Sequence, residues 1–314
     1  MYTVINITLP FFLLIFAGSF LSYIKFINKD TLQILAKTAF YVLMPPMIFL
    51  NLATSDVSVL FNFKFIVLYE LATILLFLFA IPIGLIFKLH FNSIGMFGLI
   101  SAYPNYGYIG IPLTLVAFGP DAATPMALIL FSNTFMLLLL TSIYMAIHNG
   151  SGSFKLTALH IIKNLLLNPL IISVMAGIMF ATIDIIIPRS INSTLLMLSN
   201  AAAPVALIAL GASLKLQKTR SGLTQVLTVT FLKLTVHPIL IFAIFLLWSG
   251  QDKLWIQTAI VCASLPVAAN VFVLASNYDN SIEESANAIF FSTLLSTITV
   301  PIFLFVLLNS NYLH

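Results

Sequence analysis

The stretch SAYPNYGYIGIPL, residues 101–113, lies within an apolar run that is long enough to cross a membrane. It places two prolines, two glycines, an asparagine and three tyrosines in the middle of that run. A proline removes one backbone donor and its ring clashes with the preceding turn, so the helix opens there. In lipid, each freed backbone group costs several kcal/mol unless protein or water satisfies it. The stretch therefore predicts a helix that is broken at mid-depth and lines a hydrated cavity.

The composition of the chain places it in a lipid bilayer. Of its 314 residues, 61% are hydrophobic and only 7% are charged, whereas a soluble domain carries roughly 25% charged residues. The net charge of +4 is spread between apolar runs without a basic cluster interleaved with aromatic residues, so no nucleic-acid partner is expected. The one cysteine, Cys262, excludes an intramolecular disulfide. We expect the first apolar run to be a retained span, because no positive leader precedes it.

The chain contains ten runs of the length and apolarity that a membrane-spanning helix needs, which predicts an all-α polytopic membrane protein. The predicted spans are residues 4–24, 32–53, 64–87, 94–118, 122–147, 159–180, 193–214, 223–248, 254–276 and 284–308.

Basic residues predict the orientation of these spans. Nine of them lie in or beside the loops after spans 1, 3, 5 and 7, against three on the opposite side. The first set is therefore predicted to be cytoplasmic, which places both termini outside a cell membrane. The acidic loop between spans 9 and 10 adds no positive charge and does not reverse this prediction.

The two halves of the chain resemble each other. Ordered matches at offsets of 159 or 162 residues pair Ala17-Gly18 with Ala176-Gly177, Pro45 with Pro204, Pro104 with Pro266, and Asp121 with Glu283. Because each half holds an odd number of spans, the second enters the membrane from the opposite side, as in the inverted repeats of secondary transporters. The predicted halves are residues 1–147 and 159–314, joined by a cytoplasmic linker at 148–158. The alternative is that proline and glycine are simply common in membrane helices.

A second break is predicted in the ninth span, in SLPVAANVFVLASNYD, residues 264–279. Pro266 matches Pro104, so two discontinuous helices are expected to cross near the midplane. The N-termini of half-helices favour anions, and Asn105 and Asn270 add neutral donors and acceptors. The alternative for each asparagine is that it only satisfies an opened backbone bond.

The candidate substrate-binding residues lie on and beside the two breaks, with one further asparagine on span 5. They are Pro104, Asn105, Tyr106, Gly107, Pro266, Asn270 and Asn133. The tyrosines could contact a substrate or pack against neighbouring spans, and both alternatives stay open. The sequence contains neither HExxH nor GxSxG and no pair of intramembrane aspartates, so we expect no catalytic residue, metal site or cofactor.

Glu70 lies about two turns into predicted span 3, and Lys233 lies near the middle of predicted span 8. A charge at the bilayer centre costs about 2.5–3.5 kcal/mol on insertion scales, so such residues usually face the protein interior and have a function. Glu70 could take up a proton and couple transport to it. Lys233 could neutralise Glu70 or substitute for a bound cation. The alternatives are a structural ion pair, or a Glu70 side chain that reaches the outer interface.

His237 and Pro238 are predicted to break span 8, as Pro82 is expected to interrupt span 3. A histidine before a proline is more often a polar plug of the kink than a proton relay.

The segment YPNYGYIGIPL, residues 103–113, resembles the fourth-span motif of the auxin efflux carrier family, L-P-N-x-x-x-x-G-x-P-L, with Tyr103 at the usual leucine of the plant members. LPVAANVFVLASNYD, residues 265–279, is similar to the ninth-span motif, although plant carriers have proline where Asn270 stands. Two further segments resemble the bacterial branch, which includes proteins named as malate and malonate permeases: NPLIIS (168–173) and ALGASL (209–214).

This resemblance implies ten spans, with a scaffold of spans 1, 2, 6 and 7 and a transport domain of spans 3–5 and 8–10. It implies the fold of bile-acid and sodium/proton transporters and elevator-type alternating access. Plant members carry an acidic residue near the position of Glu70 that supports the substrate site. The resemblance also allows a homodimer through spans 2 and 7.

The sequence therefore predicts a secondary transporter, an efflux carrier or permease, for a small organic anion. A coupled symporter of another solute, a channel and a transporter-derived sensor are the alternatives. Spans 4 and 9 carry no carboxylate at mid-depth, which favours proton coupling through Glu70, or uniport, over sodium coupling. An anion leaving the cell gains about 2.3 kcal/mol per charge per 100 mV, which is enough to drive uniport.

Overall fold

The computed structural model describes residues 2–55, 62–149, 163, 166–183, 185–217, 223–248 and 250–309. Its regular elements are helices, and the described residues contain no β-strand, which confirms the predicted all-α class. The predicted linker at 148–158 lies outside the described residues, except for the last two residues of one helix.

The α-helices are numbered in chain order. They are α1 (Tyr2–Tyr23), α2 (Lys29–Thr38), α3 (Met44–Ala53), α4 (Phe63–Ile86), α5 (Phe91–Ala102), α6 (Ile111–Phe118), α7 (Ala123–Asn149), α8 (Pro169–Ile183), α9 (Arg189–Ser213), α10 (Leu223–Phe231), α11 (His237–Leu247), α12 (Lys253–Ser264), α13 (Asn270–Asn277) and α14 (Ile282–Asn309).

Wider π-helical turns join several of these helices end to end. Ala39–Leu43 links α2 to α3, Tyr106–Gly110 leads into α6, and Leu232–Val236 links α10 to α11. Pro238 follows the third turn directly, in the first turn of α11. The predicted break of span 8 at His237 and Pro238 is therefore wrong, because a π-helical turn accommodates the proline without ending the helix.

Among the residues that the structure describes, seven helical segments are long and apolar enough to cross a membrane. They are Tyr2–Tyr23, Lys29–Ala53, Phe63–Ile86, Pro120–Ile143, Arg189–Ser213, Leu223–Leu247 and Ile282–Asn309. Pro82 lies inside α4, which continues through it. The chain is thus a multi-pass membrane protein.

The other three predicted spans have a different form in the structure. Residues 94–118 and 254–276 each form two shorter helices. Residues 159–180 are described mainly from Pro169, where α8 begins. The total of ten spans stays a prediction.

The chain divides into two compact units. The first comprises Met1–Phe63, Tyr106–Leu128 and Leu166–Leu214. The second comprises Lys64–Asn105, Ile129–Leu165 and Lys215–His314.

Glycines bring helices of the first unit into backbone contact. A Cβ atom at Gly18 of α1 would overlap the backbone carbonyl of Ile208 in α9. A Cβ atom at Gly177 of α8 would lie 3.1 Å from the backbone carbonyl oxygen of Phe49 in α3. The offset of 159 residues carries Gly18 onto Gly177 and Phe49 onto Ile208, so the same contact occurs twice with the halves exchanged. Small residues at such positions let membrane helices approach closely.

Aromatic side chains pack the core of the second unit. The ring of Phe65 in α4 lies edge-on to Trp255 of α12, with centroids 4.8 Å apart, and contacts Phe245 of α11 at 5.6 Å. A Cβ atom at Gly98 of α5 would be 3.0 Å from the ring of Phe77. This packing holds α4, α5 and α12 around the polar groups described below.

Candidate functional site

Helix α5 ends at Ala102, where the sequence predicts a break. The N–H of Tyr103 still donates to the carbonyl of Leu99 at 3.0 Å, but Tyr103 itself is extended, with φ −93° and ψ 102°. Pro104 has no N–H with which to continue the helix. The chain therefore leaves the helix at Tyr103 and is extended at Pro104.

The second break follows α12. Leu265 is extended, with φ −65° and ψ 153°, and α13 begins at Asn270. Residues 265–269 thus separate two helices within one predicted span, with Pro266 at the position expected from the repeat.

The two breaks pair with each other inside the second unit. Pro104 and Val267 form an antiparallel bridge. The N–H of Asn105 donates to the carbonyl of Pro266 at 2.9 Å, and the N–H of Ala268 donates to the carbonyl of Tyr103 at 3.0 Å. The groups freed by one break are therefore satisfied by the other, which is the condition for irregular backbone at membrane depth.

A side chain of α14 completes the second break. The N–H of Val267 donates to the hydroxyl oxygen of Ser292 at 3.0 Å, and Ser292 is buried. Nothing in the sequence distinguishes Ser292, because a hydroxyl in an apolar helix usually bonds its own backbone.

The carbonyl groups at the end of α12 have separate partners. The hydroxyl of Ser264 donates to the carbonyl of Val261 at 2.7 Å, and the N–H of Leu265 donates to that of Cys262 at 3.4 Å. The carbonyl of Ala263 accepts from the ammonium of Lys233. The last carbonyls of a helix have no partner within it and carry partial negative charge. The fully buried amino group of Lys233 thus lies at the negative end of α12.

Glu70 is held by two residues of α7. The hydroxyl of Ser132 donates to one carboxylate oxygen at 2.7 Å, and the amide of Asn133 donates to the other at 3.1 Å. Glu70 is only 5% exposed, so the alternative of a side chain reaching the interface is wrong. Asn133, a predicted substrate-binding residue, binds Glu70 in this structure.

Polar contacts continue from Asn133 to Lys233. The amide of Asn133 also donates to the hydroxyl oxygen of Thr73 at 3.1 Å, and that oxygen lies 3.3 Å from Nε2 of His237. Nδ1 of His237 lies 3.3 Å from Nζ of Lys233. Three buried side chains therefore connect the carboxylate of Glu70 to the ammonium of Lys233. We call Glu70, Asn133, Thr73, His237 and Lys233 the buried polar chain.

The hypothesis of a direct ion pair between Glu70 and Lys233 is wrong. Both residues are described, and the contacts of each lie with the intervening members of the buried polar chain and with Ser132 and Ala263. His237 was expected to satisfy an opened backbone bond at a kink. It instead contacts Thr73 and Lys233 within the buried polar chain. Thr73 and Ser132 were missed because nothing in the sequence distinguishes them from other hydroxyls.

The remaining predicted residues lie at different places. Asn270 is exposed at the start of α13, and the hydroxyl of the buried Tyr103 is within hydrogen-bonding reach of Asn270 and Thr134. Tyr106 is buried in the first unit. A Cβ atom at Gly107 of the first unit would meet the flexible end of Met44 at 3.2 Å.

A pocket of about 250 Å³ lies elsewhere in the second unit. Its polar lining includes Lys88, His90 and Glu284, and none of the predicted substrate-binding residues contributes to it. The candidate site at the paired breaks therefore rests on hydrogen-bond geometry and not on this pocket.

The whole chain matches a known family. Residues 3–304 match the family model described as membrane transport protein. The chain belongs to this family, the auxin efflux carrier family. It is a membrane transport protein and not an enzyme.

Curated relatives cover almost the full length. The chain is 31% identical over 304 residues to a Rhizobium meliloti protein named "Putative malonate transporter", covering 96% of this chain and 94% of the relative. It is 26% identical over 312 residues to an uncharacterized transporter of Methanocaldococcus jannaschii, covering 97% of this chain and 99% of the relative. An uncharacterized transporter of Methanothermobacter thermautotrophicus is 26% identical over 302 residues, covering 94% of this chain and 95% of the relative.

Proposed function

We propose that this transporter is a secondary carrier that moves a small organic anion, such as a carboxylate, across the cell membrane by elevator-type alternating access. The observation that carries the proposal is the pairing of the two breaks, through Asn105 to Pro266 and Ala268 to Tyr103. Secondary transporters bind their substrates near the midplane, where discontinuous helices meet.

The groups around the paired breaks favour an anion. Helix α13 begins beside the second break, and its N-terminus carries a partial positive charge there. Asn270 is exposed at this end, and its amide can donate to a carboxylate. Asn105 adds a second neutral amide close to the first break. A relative named for malonate transport is consistent with a carboxylate substrate.

The other predicted site residues keep their proposed roles. Pro104 and Pro266 hold the backbone open, and Tyr106 and Gly107 stay proposed substrate-binding residues of the fourth span. Asn133 stays a proposed substrate-binding residue, and Glu70, which accepts a hydrogen bond from it, supports the site.

The architecture proposed for this function is a ten-span 5+5 inverted repeat. Spans 1, 2, 6 and 7 form the fixed scaffold, and spans 3–5 and 8–10 form the moving part. The repeated glycine contact, Gly18 with Ile208 and Gly177 with Phe49, supports the repeat. The termini are proposed to be extracytoplasmic. A homodimer through spans 2 and 7 is proposed from the resemblance to the auxin efflux carrier family.

For coupling we propose a proton carried by Glu70, with uniport driven by the membrane potential as the alternative. Glu70 is the one carboxylate in the buried polar chain, and Ser132 and Asn133 are placed to stabilise its charged form. Protonation would change the charge beside the transport site without any other ion.

Uptake by the purified protein in proteoliposomes tests the proposed function. Labelled monocarboxylates and dicarboxylates, malonate among them, should accumulate faster than in protein-free vesicles, and an excess of the same unlabelled anion should compete. The matched controls are neutral amides of the same size. Equal accumulation with and without protein for every anion would contradict the proposal.

A further inference from the structure

Lys233 lies fully buried on the π-helical turn between α10 and α11, with no exposed surface. Its ammonium donates to the carbonyl of Ala263 in the last turn of α12 and lies 3.3 Å from Nδ1 of His237. A buried charge of this kind is tolerated where it is paired or hydrogen-bonded. One partner of the ammonium is a carbonyl oxygen at the C-terminal end of a discontinuous helix, which is the kind of group that coordinates a coupling sodium ion in secondary transporters.

The hydrogen bonds of Thr73 assign the tautomer of His237. The single hydroxyl proton of Thr73 is donated to the carbonyl of Tyr69 at 3.1 Å, and its oxygen accepts from Asn133 at 3.1 Å. The contact of 3.3 Å between this oxygen and Nε2 of His237 therefore needs the proton to be on the ring nitrogen.

This tautomer leaves Nδ1 of His237 as an acceptor. Nδ1 can then accept a hydrogen bond from Lys233, whose ammonium has donors only. His237 and Lys233 are four residues apart, which places them on the same face of the helix. The neutral ring thus fixes the ammonium in position against Ala263.

The ammonium of Lys233 lies at the C-terminal end of α12, next to the second break. Val261 and Cys262 give their carbonyl oxygens to local donors, whereas the carbonyl of Ala263 accepts from another helix. Three residues later, Pro266 makes the backbone bond to Asn105 at the paired breaks. The cation therefore lies at the negative end of the helix that leads into the proposed transport site.

We propose that Lys233 is a resident cation, positioned by His237, which occupies the place of a coupling metal ion at the end of α12. Transport by this chain then needs neither sodium nor potassium. The link to coupling rests on the proposed transport function. Occupation of this position by the ammonium of Lys233 does not depend on it.

Thermal unfolding of the purified full chain tests the proposal without a transport assay. The melting temperature of the wild type should be the same in sodium, potassium and choline chloride at equal ionic strength. A saturable rise of the wild-type melting temperature with sodium or potassium would overturn the proposal, because binding to the folded state alone stabilises it.

The variant Lys233→Ala removes the ammonium from its position at the carbonyl of Ala263. Its melting temperature should fall, and methylammonium or sodium should raise it again by several degrees in a saturable way. Lys253→Ala, at the start of the same helix α12, is the matched control and should show no specific response to these cations. A purified Lys233→Ala protein that ignores every small cation would overturn the proposal.

Two variants test the positioning role of His237. His237→Ala should give the protein a partial response to small cations, because Lys233 is no longer held against Ala263. His237→Gln keeps an acceptor and should return the response to that of the wild type. Equal behaviour of the two variants would overturn the positioning role. If the Lys233 variant does not fold, the wild-type titration and the His237 pair still decide the question.

Discussion

Asn133 donates a hydrogen bond of 3.1 Å to the carboxylate of Glu70, from one helix of the second unit to another. The same amide also donates to Thr73 at 3.1 Å, so both of its protons are used. Asn133 is fully buried. Its two bonds connect the one acidic group of the buried polar chain to the residues that lead to Lys233.

Asn133→Leu should destabilise the protein by removing both donors. A buried polar group that loses its partner costs about 1–3 kcal/mol, and more when it is charged, so the free energy of unfolding should fall by at least that amount. Chemical unfolding in detergent micelles measures it.

Asn51→Leu is the matched control for this experiment. The amide of Asn51 donates to Met47 of its own helix at 2.7 Å and is only partly buried. Its replacement should cost much less. Equal losses in the free energy of unfolding for the two variants would contradict a stabilising role of the contact between Asn133 and Glu70.

Glu70→Gln should remove the pH dependence of transport. If Glu70 carries the coupling proton, a pH gradient across proteoliposomes changes the initial uptake rate of the wild type, and an amide at this position cannot respond. Glu283→Gln, in the first turn of α14, should keep the wild-type response. Wild-type uptake that follows the membrane potential and ignores the pH gradient would favour the uniport alternative.

Asn105→Ala should weaken substrate binding while leaving the paired breaks intact. The bond from residue 105 to Pro266 uses the backbone N–H, which alanine keeps. A hydrogen bond to a charged group contributes about 1.5–3 kcal/mol, so the Kd of the best anion should rise about ten- to a hundredfold.

Calorimetry or ligand-induced thermal shift measures this change, with Asn192→Ala in the first turn of α9 as the control. An Asn105→Ala protein that binds the anion as tightly as the wild type would place the substrate away from the paired breaks.

The paired breaks were predictable from the sequence because their cause is covalent. Pro104 and Pro266 lack a backbone donor wherever they are placed, and a membrane helix has few other ways to satisfy its backbone. The same argument failed at Pro238, where a π-helical turn adjusts the backbone and the helix continues. A proline thus predicts local disruption, but neighbouring packing decides whether the helix ends.

The members of the buried polar chain were only partly predictable. Glu70 and Lys233 stand out because charges are rare in apolar spans, and the spacing of four between Lys233 and His237 could have paired them. Thr73 and Ser132 carry no such signal. Ser101 and Ser173 each donate to the carbonyl four residues earlier in their own helices. Thr73 does the same, but its oxygen also accepts from Asn133 of another helix. Contacts between helices, which the sequence does not encode locally, make the difference.

Gly18→Ala should destabilise the first unit. Its Cβ atom would overlap the backbone carbonyl of Ile208, which cannot move aside as a flexible side chain can. Overpacking of this kind costs about 1–3 kcal/mol, and more when backbone must shift. Thermal unfolding of the purified protein measures the loss.

Gly107→Ala provides the comparison for the Gly18 variant. Its Cβ atom would meet only the terminal methyl of Met44 at 3.2 Å and a leucine methyl at 3.7 Å, so the cost should be smaller. An equal or larger loss at Gly107 would contradict the close backbone approach at Gly18.

The bridge between Pro104 and Val267 is made by main-chain atoms alone. A mutation that exchanges a side chain beside it leaves those bonds in place, provided that the new residue tolerates an extended backbone. Descendants of one ancestral carrier could therefore acquire different cargoes through a handful of replacements around an unchanged frame. Diversification of cargo and preservation of architecture would then be separate evolutionary problems.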